Sequence, residues 1–269
     1  MTLTLRYLAL AFLAFLAFLV VAGGSATAHE IKVFSSRHTV PEAGKATIFL
    51  SWGHRMPVDE LVDAAPIERY DLIAPGGVTA LKKDGVSLQA NVVELKDVGV
   101  HTAVVTRKSS VYTYVLGEDD ERQLKRGPKT EHANAKIESA TRYQSAAKAL
   151  IVVGKAGDAA PKPVGLSVEI NPLDGPAKWT ANSDIRFQIL LNGKPVPTAE
   201  VQARDIGFKP DDAWSYATES NRKGEFIVRP SKAGTWVVKV NVKKLTQGKT
   251  REEYDFESYT ATLTLEVRP

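Results

Sequence analysis

The sequence contains no cysteine, and this absence excludes several kinds of site. Without a thiol the chain has no disulfide, no thiolate nucleophile, no iron–sulfur cluster and no cysteine-ligated zinc. Any core must therefore be held by packing alone. Histidine and carboxylate side chains, with any free amine, remain as the ligands that a transition metal would find.

Recognisable catalytic motifs are also missing. There is no G-x-S-x-G and no phosphate-binding G-x-x-x-x-G-K-[ST], and the single S-x-x-K match, Ser145-Ala146-Ala147-Lys148, lacks its S-D-N and K-T-G companions. The 35 basic and 31 acidic residues are well mixed and give a net charge of +4, so no nucleic-acid patch is expected. We predict a protein that is not an enzyme and has no nucleic-acid partner.

Long apolar runs are confined to the N-terminus, which has the pattern of a cleavable export signal. Arg6 precedes an apolar run from Tyr7 to Ala22, and small residues lead to the A-x-A site Ala26-Thr27-Ala28. The run is about 16 residues, whereas a membrane-spanning helix needs roughly 20. A retained anchoring helix is the alternative. We predict a signal peptide at 1–28, cleavage before His29, and a mature protein that does not span a membrane.

The rest of the chain is predicted to be mainly β, as two β-sandwich-like domains. Short runs of β-branched and aromatic residues alternate with turn residues, for example around Ala46–Trp52 and Val111–Leu116. The predicted units are an N-terminal β-rich domain at 29–153, a linker at 154–163 rich in Gly, Ala and Pro, and a C-terminal Ig-like or transthyretin-like sandwich at 164–269.

Two local patterns stand out within this β organisation. Asn192-Gly193 between two apolar runs predicts a tight hairpin turn. Residues 131–154 contain no Pro and no Gly before Gly154, and Ala135, Ala140 and Tyr143 fit a helical face. We therefore predict a short helical or irregular crossover between the two domains, which leads into a strand at Lys148–Val153.

Three segments together resemble a known family. They are Ala28-His29-Glu30 with Ser51–Pro57, the stretch from Gly165–Leu173 to Asn192–Val201, and the C-terminal run from Asn221 to Val267. They are similar to bacterial periplasmic proteins with a domain of unassigned function, described as the periplasmic component of nickel or cobalt uptake transporters. The resemblance implies a periplasmic location, a divalent transition metal as ligand, and a membrane transporter component as partner.

Cleavage before His29 gives the candidate metal site its chemistry. The free α-amine and the imidazole of His29 can chelate one ion together, and a second histidine would supply a third nitrogen. His54, at the end of an apolar strand, is the first choice for that partner, and His38 is the second. Such nitrogen ligands suit nickel, cobalt, copper or zinc. Asp59 and Glu60 are either additional oxygen ligands or the acidic first turn of a short helix.

Two other functions fit the same sequence. The first is a structural or adhesion β-sandwich module without metal. It would bind a protein or a carbohydrate through exposed Trp214 and Tyr216. An oxidative copper enzyme with an N-terminal histidine brace would share the His29 chemistry and would need an open metal face. Trp236, between Gly234-Thr235 and Val237-Val238, is predicted to be a core residue instead.

Overall fold

The computed structural model of the protein describes residues 29–155, 157–207 and 213–269. The predicted signal peptide at 1–28 lies outside these residues. The described chain is mainly β, with several sheets in a sandwich-like arrangement, which confirms the predicted fold class. No helix in this part of the chain is long and apolar enough to cross a membrane.

The strands follow one another with few helical turns between them. The first ten are β1 (Glu30–Ser35), β2 (Thr39–Val40), β3 (Gly44–Gly53), β4 (Val62–Asp63), β5 (Ile67–Ala74), β6 (Gly77–Ala80), β7 (Val86–Ser87), β8 (Asn91–Leu95), β9 (Gly99–Arg107) and β10 (Ser110–Leu116). The others are β11 (Arg122–Arg126), β12 (Lys136–Val153), β13 (Val168–Pro172), β14 (Ile185–Leu191), β15 (Lys194–Pro195), β16 (Glu200–Asp205), β17 (Tyr216–Glu219), β18 (Glu225–Val228), β19 (Gly234–Leu245) and β20 (Phe256–Val267). The described helical turns are α1 (Thr250–Glu253) and 3-10 turns at Lys129–His132 and Pro176–Lys178.

Eleven of the described strands form one central sheet. Its main path is β17-β16-β19-β20-β12-β9-β5-β6, and β2, β10 and β11 join beside it. β12 and β20 run parallel, whereas β9 and β10 pair with β12 in the antiparallel sense. The sheet therefore contains strands from both sides of the linker at 154–163. The division into two domains at that linker stays a prediction.

The stretch before Lys148, predicted to be a helical or irregular crossover, is mostly strand, and that prediction is wrong, whereas the predicted strand Lys148–Val153 is confirmed. β12 alone has 18 residues, preceded by the single 3-10 turn. Its second half is buried on both faces, and such strands read as continuous apolar runs without alternation. The buried residues are Ala146, Leu150 and Val152 on one face and Ala147, Ala149, Ile151 and Val153 on the other.

Two hydrophobic cores lie on the opposite faces of β12. The first, which we call the N-terminal core, packs β12 with β1, β3, β5 and β9, and the second, the C-terminal core, packs β12 and β20 with β13, β14 and β18. In the C-terminal core the rings of Phe187 and Phe226 stack with centroids 5.3 Å apart. Trp236 is buried there, as predicted. Apolar packing of this kind replaces the missing disulfides.

The predicted hairpin turn is confirmed. β14 pairs with β15 through Leu191 and Lys194, so Asn192-Gly193 forms a two-residue loop. Both loop residues have positive φ, 50° at Asn192 and 75° at Gly193. This is the backbone conformation that a type I′ turn requires and that the Asn-Gly pair adopts readily.

A buried ion pair fastens the end of the linker to β12. Lys148 Nζ lies 2.6 Å from both Glu169 Oε1 and Asn171 Oδ1. The Glu169 carboxylate also accepts hydrogen bonds from the backbone N–H groups of residues 164, 165 and 166. Burial lowers the pKa of Lys148 to about 8. One lysine on the central strand thus holds the start of the C-terminal sheet in register with the central one.

A smaller sheet of β1, β3 and β8 covers the central sheet and carries the site described below. One face of β1 contributes Ile31 and Val33 to the N-terminal core. Its other face packs Phe34 against Met56 and Val237. Thr262 Oγ1 on β20 donates a hydrogen bond to the carbonyl oxygen of Ile31 at 2.9 Å. β1 is therefore held from two sides, and its N-terminal end is fixed in space.

Candidate metal site

Strand pairing brings His29 and His54 together. β1 and β3 are antiparallel, with Glu30 opposite Gly53, so the residue before β1 meets the residue after β3. The two imidazole rings have centroids 4.8 Å apart and are inclined by 74°. The edge of Trp52 lies beside them, with its ring centroid 5.7 Å from that of His29. The structure thus places the first two predicted ligands side by side.

The loop at 53–60 holds His54 in place. Trp52 and Glu60 pair through their backbones and close the loop. Asp59 Oδ2 accepts hydrogen bonds from the N–H groups of Arg55, at 3.2 Å, and His54, at 2.8 Å, and these bonds lower the pKa of Asp59. Lys32 Nζ donates to the Gly53 carbonyl oxygen. Residues 57–60 form no helix, so the predicted alternative of a helix-starting turn is wrong.

Each histidine of the pair has one ring nitrogen near a carboxylate. His29 Nε2 lies 3.7 Å from Glu60 Oε1, and His54 Nδ1 lies 3.9 Å from Glu30 Oε1. The other nitrogens, His29 Nδ1 and His54 Nε2, have no hydrogen-bond partner among the described residues. Carboxylates placed behind metal-binding imidazoles commonly orient the ring and fix its tautomer. The arrangement leaves one nitrogen of each ring for an ion.

Glu30 is the residue of this cluster that sequence reasoning missed. Its side chain is 2% exposed, Oε1 lies 2.7 Å from Lys239 Nζ, and Oε2 is buried without a hydrogen-bond partner among the described residues. A buried carboxylate oxygen without a donor is costly. The sequence contained one signal for this role, because Glu30 is an acidic residue that directly follows His29 at the start of an apolar strand.

Lys32 adds a second buried cation beside this carboxylate. It is fully buried, and desolvation lowers its pKa to about 8, with Glu30 opposing the shift. The site therefore rests on a buried polar layer between β1 and β19. Such a layer is stabilising only while its charges stay paired.

The remaining histidines do not join the pair. His38, the second choice, is buried, with Nδ1 2.8 Å from the Leu150 carbonyl oxygen and Nε2 accepting from the Ser35 N–H at 3.3 Å. Burial lowers the pKa of His38. Both of its nitrogens are engaged, so we leave it out of the site. His101 and His132 bond to the carbonyl oxygens of Asp97 and Arg126.

Side chains alone do not complete a metal site in the described part of the chain. No three His, Cys, Asp or Glu residues there are grouped so that they could hold an ion. The third nitrogen considered above is the α-amine of His29, which is a backbone group. With it, the donor set is two imidazoles and one amine.

The aromatic residues considered for an exposed binding face are partly buried. Trp214 packs beside Phe34 and Met56, and Lys239 Nζ lies 5.3 Å from its ring centroid. Tyr216 packs against the C-terminal core, and its hydroxyl donates to the Ile227 carbonyl oxygen at 3.1 Å. Residues 208–212, which precede Trp214, lie outside the described chain. Both rings are used in packing.

Comparison with known proteins identifies the family. The family described as a domain of unknown function (DUF4198) matches residues 26–244, and the chain belongs to it. No curated protein matches the chain. Among solved structures, a mutant of Salmonella alpha-2-macroglobulin is similar at 10% identity and a TM-score of 0.23. That match covers 92% of this chain but only 15% of the macroglobulin.

Proposed function

We propose that this member of the DUF4198 family is a periplasmic binding protein for a divalent transition metal of the nickel or cobalt type. The ion is held by the α-amine and Nδ1 of His29 together with Nε2 of His54. The protein then passes the ion to a membrane transporter component. Export and cleavage before His29 are part of the proposal, since they create the amine.

The observation that carries the proposal is the approach of the His29 and His54 rings to 4.8 Å. Bonds of about 2 Å from two imidazole nitrogens to one ion require rings at this kind of separation. The amine and Nδ1 of one histidine form a six-membered chelate ring with the ion. This choice of nitrogens leaves His29 Nε2 toward Glu60 and His54 Nδ1 toward Glu30.

The ligand chemistry supports a late first-row metal. Imidazole and amine nitrogens favour nickel, cobalt, copper and zinc over calcium or magnesium, which prefer oxygen. Three nitrogens leave at least one coordination position open. An open position suits a protein that must release its ion to a partner.

The test is calorimetric titration of a protein that begins at His29. Nickel, cobalt, copper and zinc salts are titrated separately, and at least one is expected to bind more tightly than about 1 mM. His29→Ala and His54→Ala are expected to weaken that binding by more than about a hundredfold. This exceeds the 10- to 100-fold effect typical of a residue behind the ligands.

Two controls separate the proposed ligands from other groups. His132→Ala removes a histidine that bonds to the Arg126 carbonyl oxygen, and it is expected to leave binding unchanged. A protein that keeps Ala28 has an amide in place of the amine and is expected to bind more weakly. Equal binding in all five proteins would refute the proposal, as would the absence of millimolar binding.

A further inference from the structure

A large cleft opens directly beside His29. It has a volume of about 690 Å³, in the range of small-molecule sites. His29 and Trp52 line one end, and Tyr112, Tyr114 and Tyr143 line the other. We call it the tyrosine cleft. Tyr112 and Tyr143 meet edge to face with ring centroids 6.0 Å apart, so this wall is aromatic.

Arg107 is the dominant charge in the tyrosine cleft. Its guanidinium carbon lies 3.6 Å from the centroid of the Trp52 ring, so one face of the group is stacked. The side chain is half-buried, and no acidic side chain in the described chain forms an ion pair with it. Its N–H groups are left to donate to something in the cleft. A half-buried guanidinium without an acceptor is the complement of an anion.

The other fixed charges of the lining are two cations and one carboxylate. Lys108 and Arg126 also line the cleft and, within the described residues, have no ion-pair partner. Asp63 is the one acidic residue among the lining groups, and its Oδ1 accepts a hydrogen bond from the Ala65 N–H. Burial lowers the pKa of Arg107, and the nearby Asp63 charge opposes that shift only in part. The cleft therefore presents cationic and hydroxyl donors around one large cavity.

We infer that the tyrosine cleft binds a small polycarboxylate, which fills the open coordination position of the ion held by His29 and His54. This inference rests on the proposed function. Arg107 binds one carboxylate through paired N–H donors, the geometry for which a guanidinium is suited. A second carboxylate reaches the ion, since carboxylate oxygen is a common ligand of divalent metals. The protein then captures the metal as a carboxylate chelate.

The inference is tested with citrate and nickel on the protein that begins at His29. Citrate is titrated into the metal-free protein and into the nickel-loaded protein, and the ligand-field absorption of nickel is followed. We expect citrate to bind the nickel-loaded form about tenfold more tightly or better and to shift the nickel spectrum. By linkage, citrate then raises nickel affinity by the same factor.

Arg107→Met keeps an apolar stem on Trp52 and removes the charge. It is expected to weaken citrate binding about tenfold or more, as for loss of hydrogen bonds to a charged group, while the affinity for nickel alone stays within about twofold. Arg122→Met is the matched control. Arg122 also stacks on an aromatic ring, at 3.7 Å from Tyr114, but it is paired with Glu138 and does not line the cleft.

The outcomes separate the two proposals. Nickel binding without any citrate effect, or citrate binding that is indifferent to Arg107→Met, would overturn the inference and leave the proposed function standing. Equal, Arg107-dependent binding of inorganic phosphate would overturn the carboxylate class. If nickel alone does not bind, the proposed function fails. Arg107-dependent citrate binding to the metal-free protein would then support a carboxylate site, and its absence would overturn that too.

Discussion

At the scale of single residues, Gly53 controls the position of His54. Its φ is +109°, and a Cβ at this position would lie 2.4 Å from Asp59 Oδ2. The side chain of Asp59 is the acceptor that organises the loop at 53–60. Any larger residue must therefore both strain the backbone and displace that acceptor.

We expect Gly53→Ala to lower the free energy of unfolding by about 2 kcal/mol or more and to weaken metal binding. Chemical denaturation and titration measure the two effects. Gly193→Ala is the matched control, because Gly193 also has positive φ, at +75°, but no atom lies within 4 Å of the added Cβ. Gly193→Ala should lower the free energy of unfolding only through backbone strain and should leave metal affinity unchanged. Equal effects of both variants on metal affinity would contradict this role of Gly53.

Lys32 makes stability depend on pH in a defined window. Its pKa is about 8 in the folded protein and 10.5 ordinarily, so between these values the unfolded chain binds more protons. The free energy of unfolding therefore rises with pH from about 8 to 10.5, and below that window the full cost of burying the charge is present.

We expect urea denaturation at pH 7.5 and 9.5 to show this rise. The contribution of Lys32 over that interval is roughly 2 kcal/mol, at about 1.4 kcal/mol for each pH unit above its folded pKa. Lys32→Met should reduce the rise by that amount. Lys45→Met is the control, because Lys45 is exposed on β3. An undiminished rise in Lys32→Met would show that other groups cause it.

At the scale of elements, the packing of β12 depends on the buried ion pair between Lys148 and Glu169. Removal of one partner of a buried pair leaves the other charge uncompensated, at a cost of about 3 to 5 kcal/mol. We expect Lys148→Met to destabilise the protein by this amount. The double variant Lys148→Met, Glu169→Gln should recover part of the loss, since the buried charge is then gone.

A double-mutant cycle measured by denaturation tests the coupling. The expected interaction energy is about 1 to 3 kcal/mol. The pair Arg229 and Asp184, exposed and 2.7 Å apart, is the control and should couple by less than about 1 kcal/mol. Strict additivity of Lys148→Met and Glu169→Gln would contradict the role of this buried ion pair.

Sequence patterns succeeded where the cause of structure is local. The Asn192-Gly193 turn follows from backbone preferences of two residues, and the half-buried strands follow from alternation. The first half of β12 was mispredicted because Ala135, Ala140 and Tyr143 also fit a helical face and no Pro or Gly interrupts the segment, whereas the predicted strand Lys148–Val153 is confirmed as its second half. Lys148 and Glu169 are 21 residues apart, and nothing near either one indicates that they meet.

The candidate site was predicted in part for the same reason. His29 was identified by the chemistry of a free terminus, and His54 by its place at the end of a strand. Their meeting depends on the register of β1 and β3, which no local pattern fixes. His38 has the same ligand chemistry, but burial and two hydrogen bonds engage it elsewhere. The neighbours of Glu30 and Arg107 come from distant parts of the chain, so no local sequence pattern indicates the roles of these two residues.

At the scale of the whole molecule, β12 joins the two cores. Leu150 belongs to the C-terminal core and its neighbour Ile151 to the N-terminal core. Neither core keeps its packing if β12 leaves the sheet. Unfolding should therefore be one cooperative event despite the length of the chain.

We expect calorimetry to show a single thermal transition. Leu150→Ala and Ile151→Ala should each lower its midpoint, at a cost of about 2 to 5 kcal/mol, without splitting it. Val98→Ala, at an exposed position, is the control and should leave the midpoint almost unchanged. Two separate transitions, each sensitive to only one of these variants, would show that the halves unfold independently.

The position of Trp52 gives the protein a built-in fluorophore. Its indole touches the His29 ring on one side and the Arg107 guanidinium on another. An open-shell ion bound at His29 would quench its emission, whereas an anion at Arg107 would shift the wavelength by changing the local field. Trp179 and Trp236 are buried in the C-terminal core and supply a steady background. Binding of the ion and binding of the anion would thus be distinguishable in one fluorescence titration of the unlabelled protein.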